Sequence, residues 1–450
     1  MDSDISKAFQ EELTCVICLG ILIDPVTIDC GHTFCQPCIC FAWEEAEIPD
    51  MCPVCRGPSR QRDLKTNIIL KHLVSIARKA SLRQCLSSEE HQCEIHKEAK
   101  QTFCEVEKEL LCKLCSQSPG HRNHRHCSIE GAAEQQQELM LKQMRSLWDK
   151  IQENKRNMNQ QLVLVTDWIC YVYTYRQLIN NTYEMLLPEL QEEAKKHSDI
   201  LSVEESTTLQ QLERRKTQML NKNKQLRKMY QELLKTYQNP DVELLKDLKY
   251  ILRRCESLLV FLPQPMNPKL SGLPMSGLIE ELNQYRVEIS FNQEPQNPDV
   301  MLFDYVRKLI NGQDNDDVFL NSDGSSDLTA WGVNVFSSGK HYWELSVDDS
   351  WDWALGVCRN SGVRKNSTII DSEDIFLLLC VKGSNDSHLF TSSPFLSHYM
   401  ERPVGRIGVF LDFENGNLSF FNVAKSSFIW KYPTGYFQFP VRPFFATSHT

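Results

Sequence analysis

The chain has 450 residues, of which 41% are hydrophobic and 24% are charged, and these fractions are ordinary for globular proteins. At about 150 residues per domain, this length predicts roughly three domains. The formal net charge of −10 argues against a protein that coats nucleic acid by general electrostatic attraction. No run of 18 uninterrupted apolar residues occurs, so we expect no membrane span, and the acidic start MDSDISKAFQEEL predicts no secretory signal.

Cysteine is concentrated at the front of the chain. Of the 18 cysteines, 14 lie within the first 127 residues, at short spacings and with histidines between them. In a reducing compartment such a pattern indicates metal ligation rather than disulfide bonds. We therefore expect metal sites in this part of the chain and a cytoplasmic location, with the nucleus as the second candidate.

The first group of metal-binding residue types contains eight members in pairs. Such pairs are typical of tetrahedral zinc, so eight ligands predict two closed zinc sites. The group is Cys15, Cys18, Cys30, His32, Cys35, Cys38, Cys52 and Cys55. Two unrelated ribbons or a nucleic-acid finger are the alternatives, but a Cys-Cys-His-His finger needs two histidines three to five residues apart. We expect the additional Cys40 to be a small buried residue and not a ligand.

A second group of Cys, His and Glu residues follows between positions 93 and 124. Cysteines and histidines at such short spacings again indicate metal ligation. The group is Cys93, His96, Cys104, Glu107, Cys112, Cys115, His121 and His124.

A long stretch without glycine comes next. Between Gly131 and Gly272 the chain is rich in Glu, Gln, Lys and Leu, which favours long helices. Apolar residues hold a seven-residue register, which predicts a coiled-coil seam, with a surface helix on a domain core as the alternative. The seam is Met144, Trp148, Ile151, Met158, Leu162, Val165, Ile169 and Val172, and then Leu212, Met219, Leu226, Tyr230, Leu233 and Tyr237.

Details of the helical stretch can also be predicted. Pro188 marks a kink or a turn, and a new helix is expected to begin near Asp241, after Pro240. The aromatic residues are interpreted as packing residues and not as a ligand site. They are Trp148, Trp168, Tyr171, Tyr173 and Tyr175.

The last part of the chain differs from the helical stretch in composition and in its pattern of apolar residues. Residues 262–277 contain four prolines and two glycines, which predict a linker or a set of turns. From residue 285 onward, short alternating runs such as 341–347, 406–413 and 417–423 predict an antiparallel β-sandwich.

Together these motifs resemble those of the tripartite-motif family of ubiquitin ligases. The first ligand group is similar to a RING finger, the second to a type 2 B-box, and Asn67 within the flank 64–73 follows the RING in relatives. Residues 338–345, 353–358, 411–414 and 440–444 (SGKHYWEL, WALGVC, LDFE and PVRPF) resemble PRY-SPRY signatures, although the usual Leu-Asp-Pro start is missing near 289–300.

The resemblance implies a multidomain fold: small zinc-stapled RING and B-box modules, a long α-helical coiled coil and a C-terminal antiparallel β-sandwich. The expected segments are residues 1–80 for the RING and its flanking helices, 88–128 for the B-box, 130–262 for the coiled coil, 263–284 for a linker and 285–450 for the PRY-SPRY domain.

The resemblance also implies which ligands share a zinc ion. The family usually has Asp where Glu107 stands, and the extra methylene of Glu107 changes its reach, so His126 or Cys127 could take its place. The four implied sets are Cys15, Cys18, Cys35 and Cys38; Cys30, His32, Cys52 and Cys55; Cys93, His96, Cys112 and Cys115; and Cys104, Glu107, His121 and His124.

By resemblance, the activity is that of a RING-type ubiquitin ligase without a covalent intermediate on this chain. Ile17, Trp43 and Pro53 would contact a ubiquitin-conjugating enzyme, and packing around zinc is the alternative role for Ile17 and Trp43. Arg56 matches the linchpin cation that contacts both ubiquitin and the conjugating enzyme, with a solvated surface charge as the alternative. The alternative hypothesis is a scaffold of the same architecture that has lost productive contact with the conjugating enzyme.

The remaining expectations concern partners. The seam predicts self-association, and the family implies an antiparallel homodimer; the PRY-SPRY domain would recognise a protein substrate. Trp351, Trp353 and Phe376 are candidates for its binding face, although Trp353 is equally a core candidate. We expect no membrane partner and no nucleic acid, and the family suggests a role in innate immunity.

Overall fold

The computed structural model describes residues 11–45, 51–59, 64–86, 92–107, 109–239, 241–293, 303, 306, 327–347, 351–360, 374–383, 387–433, 435 and 439–448. They form two compact units. The first comprises Met1–Arg156 with Met219–Pro263, and the second comprises Asn157–Gln218 with Gln264–Thr450. The predicted fold class is confirmed: cysteine-rich modules, a long helical region and a C-terminal antiparallel sheet domain follow one another.

The first unit begins with a small antiparallel pair of strands followed by two helices. Strands β1 (Pro25–Thr27) and β2 (Thr33–Cys35) precede helices α1 (Gln36–Glu45) and α2 (Ile68–Leu86). Asn67 caps α2, because its Oδ1 accepts a hydrogen bond from the Leu70 amide at 3.1 Å, while its Nδ2 donates to Thr27 Oγ1 at 3.1 Å. One side chain therefore starts the helix and ties it to β1.

A three-stranded sheet forms the second cysteine-rich module. Strands β3 (Thr102–Cys104), β4 (Glu109–Leu111) and β5 (His126–Ser128) lie in the order β4-β3-β5, and α3 (Lys113–Ser116) follows β4. Each strand has three residues, so the sheet buries little beyond Phe103 and Leu111. Such a module needs another source of stability, as small domains generally do.

Three long helices follow: α4 (Ile129–Leu186), α5 (Gln191–Gln238) and α6 (Asp241–Leu259). Pro188 lies in the turn between α4 and α5, and α6 begins at Asp241, as predicted. The helices α4 and α5 run antiparallel. In the first unit Asn154 Nδ2 donates to the Met219 carbonyl at 2.9 Å, and in the second unit Gln161 Nε2 donates to the Leu212 carbonyl at 3.2 Å.

The predicted seam on α5 is buried at all six positions, and four of the eight positions predicted on α4 are buried as well, namely Met144, Ile151, Val165 and Val172. Leu162 and Ile169 are 52% and 43% exposed. The apolar pattern missed the alternate positions of the seam because two of them, Asn154 and Gln161, are polar and donate to backbone carbonyls of α5. The buried positions follow alternating steps of four and three in two runs: Met140, Met144, Leu147, Ile151 and Asn154, and then Gln161, Val165, Trp168, Val172, Tyr175 and Ile179.

Two antiparallel sheets form the C-terminal sandwich. One has the order β12-β11-β10-β9-β16-β7-β6 and the other β15-β14-β13-β8. The predicted strands at 341–347, 406–413 and 417–423 correspond to β8, β13 and β14. The strands are β6 (Phe291–Gln293), β7 (Asp327–Gly332), β8 (Lys340–Ser346), β9 (Asp352–Arg359), β10 (Ile375–Lys382), β11 (Ser387–Thr391), β12 (Leu396–His398), β13 (Arg406–Asp412), β14 (Asn417–Asn422), β15 (Ser427–Lys431) and β16 (Val441–Ser448).

Helix α4 packs on strand β15 of the four-stranded sheet within the second unit. Tyr175 donates its hydroxyl to the Phe428 carbonyl at 2.8 Å, and Tyr171 stacks on Trp430 with ring centroids 5.8 Å apart. Because both of its faces are covered, β15 is buried at every residue. The packing role expected for Tyr171 and Tyr175 is confirmed, whereas Tyr173 is 62% exposed and does not pack in this way.

The segment 263–284 differs from a free connector. Leu270 pairs with Met400, and Pro274 pairs with Ser427 of β15. The helix α7 (Leu278–Asn283) buries Leu278 and Leu282 against the sandwich core. The turns that the prolines and glycines predict are therefore packed onto the sheet domain.

Candidate metal centres and docking surface

The first metal centre gathers Cys15, Cys18, Cys35 and Cys38, whose Sγ atoms all lie within 4.8 Å of one another. Cys35 ends β2 and Cys38 lies in the first turn of α1, so this centre joins strand to helix. Cys18 Sγ and Cys35 Sγ are 3.8 Å apart. Tetrahedral zinc with Zn–S bonds of about 2.3 Å requires sulfur atoms about 3.8 Å apart, so the donor set fits a zinc ion.

Electrostatics divide the thiols of this centre, because hydrogen bonds with Cys15 and Cys18 raise the pKa of the Cys35 and Cys38 thiols above its ordinary value. Hydrogen bonds from Cys18, Cys35 and Cys38 lower the pKa of the Cys15 thiol well below its ordinary value. The hydrogen bond with Cys15 raises the pKa of Cys18, but those with Cys35 and Cys38 outweigh it and lower the value to about 7. Burial, assisted by Glu44, raises the pKa of Cys40 to about 11. Cys40 is half-buried and lies outside the centre.

The second centre gathers Cys30, His32, Cys52 and Cys55. His32 Nδ1 lies 3.3 Å from Cys30 Sγ and 3.6 Å from Cys52 Sγ. Since these ligands alternate in sequence with those of the first centre, the two sites interlock, and the chain between them is held at both ends.

The third centre gathers Cys93, His96, Cys112 and Cys115. His96 Nδ1 is 3.4 Å from both Cys112 Sγ and Cys115 Sγ, close to the nitrogen–sulfur separations expected around one zinc ion. The backbone N–H of His96 donates to Cys93 and lowers the pKa of its thiol to about 6. The thiolate that metal binding requires is thus favoured by the local backbone.

The fourth centre is incomplete among the described residues. Cys104, His121 and His124 come together, with Cys104 Sγ 3.5 Å from His124 Nδ1, but the exposed Glu107 is not part of the group. The alternatives, His126 and Cys127, are not part of it either. Cys127 lies opposite Phe103 and packs with apolar neighbours. His126 lies opposite Cys104, and its buried Nε2 makes no hydrogen bond within the described part of the chain.

A shared turn follows three of the ligand pairs. Leu19, Arg56 and Lys97 have φ values of 57°, 58° and 55°, a left-handed conformation that is uncommon outside glycine. Their amides donate to the carbonyls of Cys15, Cys52 and Cys93 at 2.7–2.8 Å. We did not predict these turns, although their place directly after each pair is a usable signal. The turn at Cys55 leaves the Arg56 side chain exposed.

The tips of the first two cysteine pairs expose apolar side chains. Ile17 is 37% exposed and its neighbour Val16 56%, while Pro53 is exposed and Val54 is 48% exposed. Trp43 on α1 is half-buried, and its indole N–H donates to the Met51 carbonyl at 2.7 Å. That bond ties α1 to the chain immediately before the second pair, next to Pro53.

Of the three candidates for a binding face on the sandwich, two belong to the core. Trp353 and Phe376 are 0% and 1% exposed. Trp351 is 50% exposed and lies between two cations, with the Arg402 guanidinium 4.4 Å and the Lys382 ammonium 5.0 Å from its ring centroid. Among the helices that the structure describes, none combines the length and apolar character needed to cross a membrane.

Comparison with known proteins agrees with these modules. The zinc finger of C3HC4-type, RING, matches residues 15–55, and the SPRY domain matches residues 340–450. Human tripartite motif-containing protein 51 is 43% identical over 454 residues, and human tripartite motif-containing protein 49C is 43% identical over 451 residues, in each case over 100% of both chains. The crystal structure of the TRIM65 PSpry domain aligns with 39% of this chain and 99% of its own at 15% identity, with a TM-score of 0.26.

The full-length identity to these relatives and the RING and SPRY matches at the two ends lead to one conclusion: the chain belongs to the tripartite motif-containing family.

Proposed function

We propose that this chain is a RING-type ubiquitin-protein ligase that positions a ubiquitin-charged conjugating enzyme for transfer to a substrate lysine. The observation that carries the proposal is the pairing of apolar tips at Ile17 and Pro53 with the exposed Arg56 on one metal-held module. An exposed apolar patch on a rigid module is suited to docking a partner protein.

The proposed mechanism is positional. Each of the two RING centres fits four protein ligands, which leaves no position for a reactive water, so zinc would supply structure there. The substrate amine attacks the thioester carbonyl, an isopeptide bond forms as the C–S bond breaks, and the conjugating enzyme's cysteine leaves as a thiolate that takes up the proton lost by the amine. Arg56 would donate hydrogen bonds to both ubiquitin and the conjugating enzyme, and so restrict their motion and raise the effective concentration of the attack geometry.

Zinc is the cofactor we propose, with two ions in the RING and two in the B-box. The sulfur and nitrogen separations of 3.3–3.8 Å support it in the first three centres. For the fourth centre, we propose Glu107 as the missing ligand. His126 is the alternative, because His126 lies across the sheet from Cys104.

The direct test is single-turnover discharge of ubiquitin from a charged conjugating enzyme to free lysine, catalysed by the full chain. Arg56→Ala should keep its zinc and slow discharge more than about tenfold, a loss of at least 1.4 kcal/mol of transition-state stabilisation. Ile17→Ala should act mainly by raising KM. Arg122→Ala and Ile76→Ala, which remove exposed side chains elsewhere, are the matched controls.

The same assay decides between the ligase and the scaffold. A wild-type chain that holds its zinc yet leaves discharge at the rate of the conjugating enzyme alone, across a panel of such enzymes, would support the scaffold. Unchanged discharge by Arg56→Ala would remove this residue from the mechanism.

We propose that a second copy of the chain packs on the outer face of α4. Leu162, Ile169 and Tyr173 are exposed there at spacings of seven and four residues, as in a second seam. An antiparallel homodimer is the arrangement that the family favours. Light scattering should find a dimer for the wild type and a monomer for Ile169→Asp, with Val203→Asp on α5 as the control.

The substrate would be a protein held by the C-terminal sandwich, in the cytoplasm or the nucleus. The exposed Trp351 between Arg402 and Lys382 is our candidate contact on that domain. Proximity labelling with the full chain and with Trp351→Ala would identify proteins whose capture depends on this side chain.

A further inference from the structure

Helix α1 of the RING has a second face, which contacts the long helices in the first unit. The Glu44 carboxylate is 10% exposed and accepts hydrogen bonds from both helices. Arg227 Nη2 on α5 lies 2.5 Å from Oε2, Gln152 Nε2 on α4 lies 2.7 Å from Oε1, and Lys155 Nζ lies 3.5 Å from Oε1. A largely buried carboxylate with three donors is a specific contact, because losing one donor leaves a poorly solvated charge.

An aromatic cluster lies beside this ion pair. The Phe41 ring, one turn before Glu44, meets Trp148 of α4 edge-to-face with centroids 4.9 Å apart, and Tyr230 of α5 at 5.0 Å. The guanidinium of Arg227 stacks over Phe41 at 5.2 Å. Arg227 therefore serves both the ion pair and the aromatic cluster.

A separate contact is made by the loop before β1. Asp24, whose side chain is 6% exposed, accepts a hydrogen bond from Arg145 of α4 at 2.8 Å and one from Lys71 of α2 at 3.3 Å. Asp24 and Glu44 thus each meet a cation of the long helices. Two such contacts at different points resist rotation as well as separation.

This contact leaves the proposed docking surface open. Ile17, Leu19 and Val54 remain 37%, 80% and 48% exposed while the RING is in contact with the helices. Trp43 is the neighbour of Glu44, so the ion pair fixes the end of α1 from which Trp43 projects.

We propose that Arg227 and Trp148 are positioning residues: they hold α1 on the long helices and so keep Trp43 in the orientation that a conjugating enzyme recognises. This role rests on the proposed ligase function. The contact is a support for the RING and not an inhibitory one, because Ile17, Leu19 and Val54 stay exposed while it is made.

The test of the contact is zero-length carbodiimide crosslinking of the full chain, read by mass spectrometry. Glu44 and Lys155 should be linked in the wild type, and the link should fall at least about fivefold in Arg227→Glu and Trp148→Ala. The Asp24–Lys71 link, internal to the RING and its flank, and the zinc content should persist in both. Arg227→Lys should keep the Glu44 link, and Arg214→Glu, at an exposed position of α5, is the matched control.

The test of the role is the affinity of the same proteins for an uncharged conjugating enzyme. Arg227→Glu should weaken binding about fivefold, equivalent to about 1 kcal/mol, with Arg227→Lys and Arg214→Glu near the wild type. Absence of the Glu44–Lys155 link in the wild type, equal affinity of wild type and Arg227→Glu, or tighter binding by Arg227→Glu would each overturn the proposal. A wild type that shows the link and the binding but no discharge would overturn the ligase function and leave the positioning role standing.

Discussion

The RING and B-box modules and the C-terminal sandwich reach stable folds by different means. Strands β1 to β5 have three residues each, whereas β9, β10 and β16 have eight. The fully buried residues of the front modules include their ligands, Cys15, Cys35, Cys104 and Cys112, while those of the sandwich are large apolar side chains such as Trp353. The difference teaches that the spacing of metal ligands determines the fold of the N-terminal modules. The periodicity of apolar residues determines the fold of the C-terminal sandwich.

Removal of metal should produce the largest difference in stability between the N-terminal modules and the sandwich. Structural zinc contributes about 10–16 kcal/mol of binding free energy in small modules, far more than three-residue strands can replace. A strong chelator should therefore abolish amide protection in residues 11–59 and 92–128, and with it ubiquitin discharge. Hydrogen exchange of the same sample should show β8 to β16 still protected. Equal loss of protection in both regions would contradict the comparison.

The converse change is a cavity in the sandwich. Trp353 is fully buried, so Trp353→Ala should destabilise this domain by about 3–5 kcal/mol in denaturant unfolding. Zinc content and discharge to free lysine should stay at wild-type values, since neither depends on the sandwich. Trp351→Ala, at a half-exposed position, is the control and should cost much less. A loss of zinc in Trp353→Ala would show that the two regions are not independent.

A smaller loss of stability is expected when the helix cap of α2 in the N-terminal region is removed. Asn67→Ala removes the acceptor for the Leu70 amide and the bond to Thr27, which should cost about 1–2 kcal/mol. Hydrogen exchange should show faster exchange at the start of α2 with all zinc retained. Asn67→Asp keeps the cap acceptor and should restore most of the protection. If Asn67→Ala lost zinc, the cap would be part of the metal module.

The smallest effect concerns pH. Burial lowers the pKa of His398 to about 3 and that of His197 to about 4, from an ordinary value of 6.5. The unfolded chain binds the proton first, so stability is full above pH 6.5 and falls as the pH decreases from 6.5 toward these values. Between pH 7 and pH 6 each histidine should cost about 0.7 kcal/mol. Denaturant unfolding of His398→Phe should show about half of the wild-type pH dependence, and an unchanged slope would exclude His398 as its source.

Much of the molecule could be predicted from the sequence because its determinants are local. Pairs of ligands with two residues between them leave few geometries, and three of the four predicted ligand sets come together in full. The fourth could not be settled, since the reach of Glu107 depends on the turn that carries it. The sandwich strands were found from alternation, but alternation does not separate a core tryptophan from a binding one, as Trp353 shows.

Other features could not be predicted because they depend on distant contacts. The alternate positions of the α4 seam include Asn154 and Gln161, whose donors find carbonyls 65 and 51 residues away. The contact of Glu44 with Arg227 spans 183 residues, and no local pattern distinguishes these two charges from solvated ones. The structural roles of these polar side chains are therefore visible only once the fold is known.

The most direct measurement is the number of zinc ions bound to the full chain, counted by native mass spectrometry. Four ions are expected for the wild type, and Cys15→Ser should lose at least one of the two assigned to the RING while both B-box ions remain. A wild-type chain that carries fewer than two zinc ions would contradict the view that paired thiol and imidazole donors build the front of this molecule.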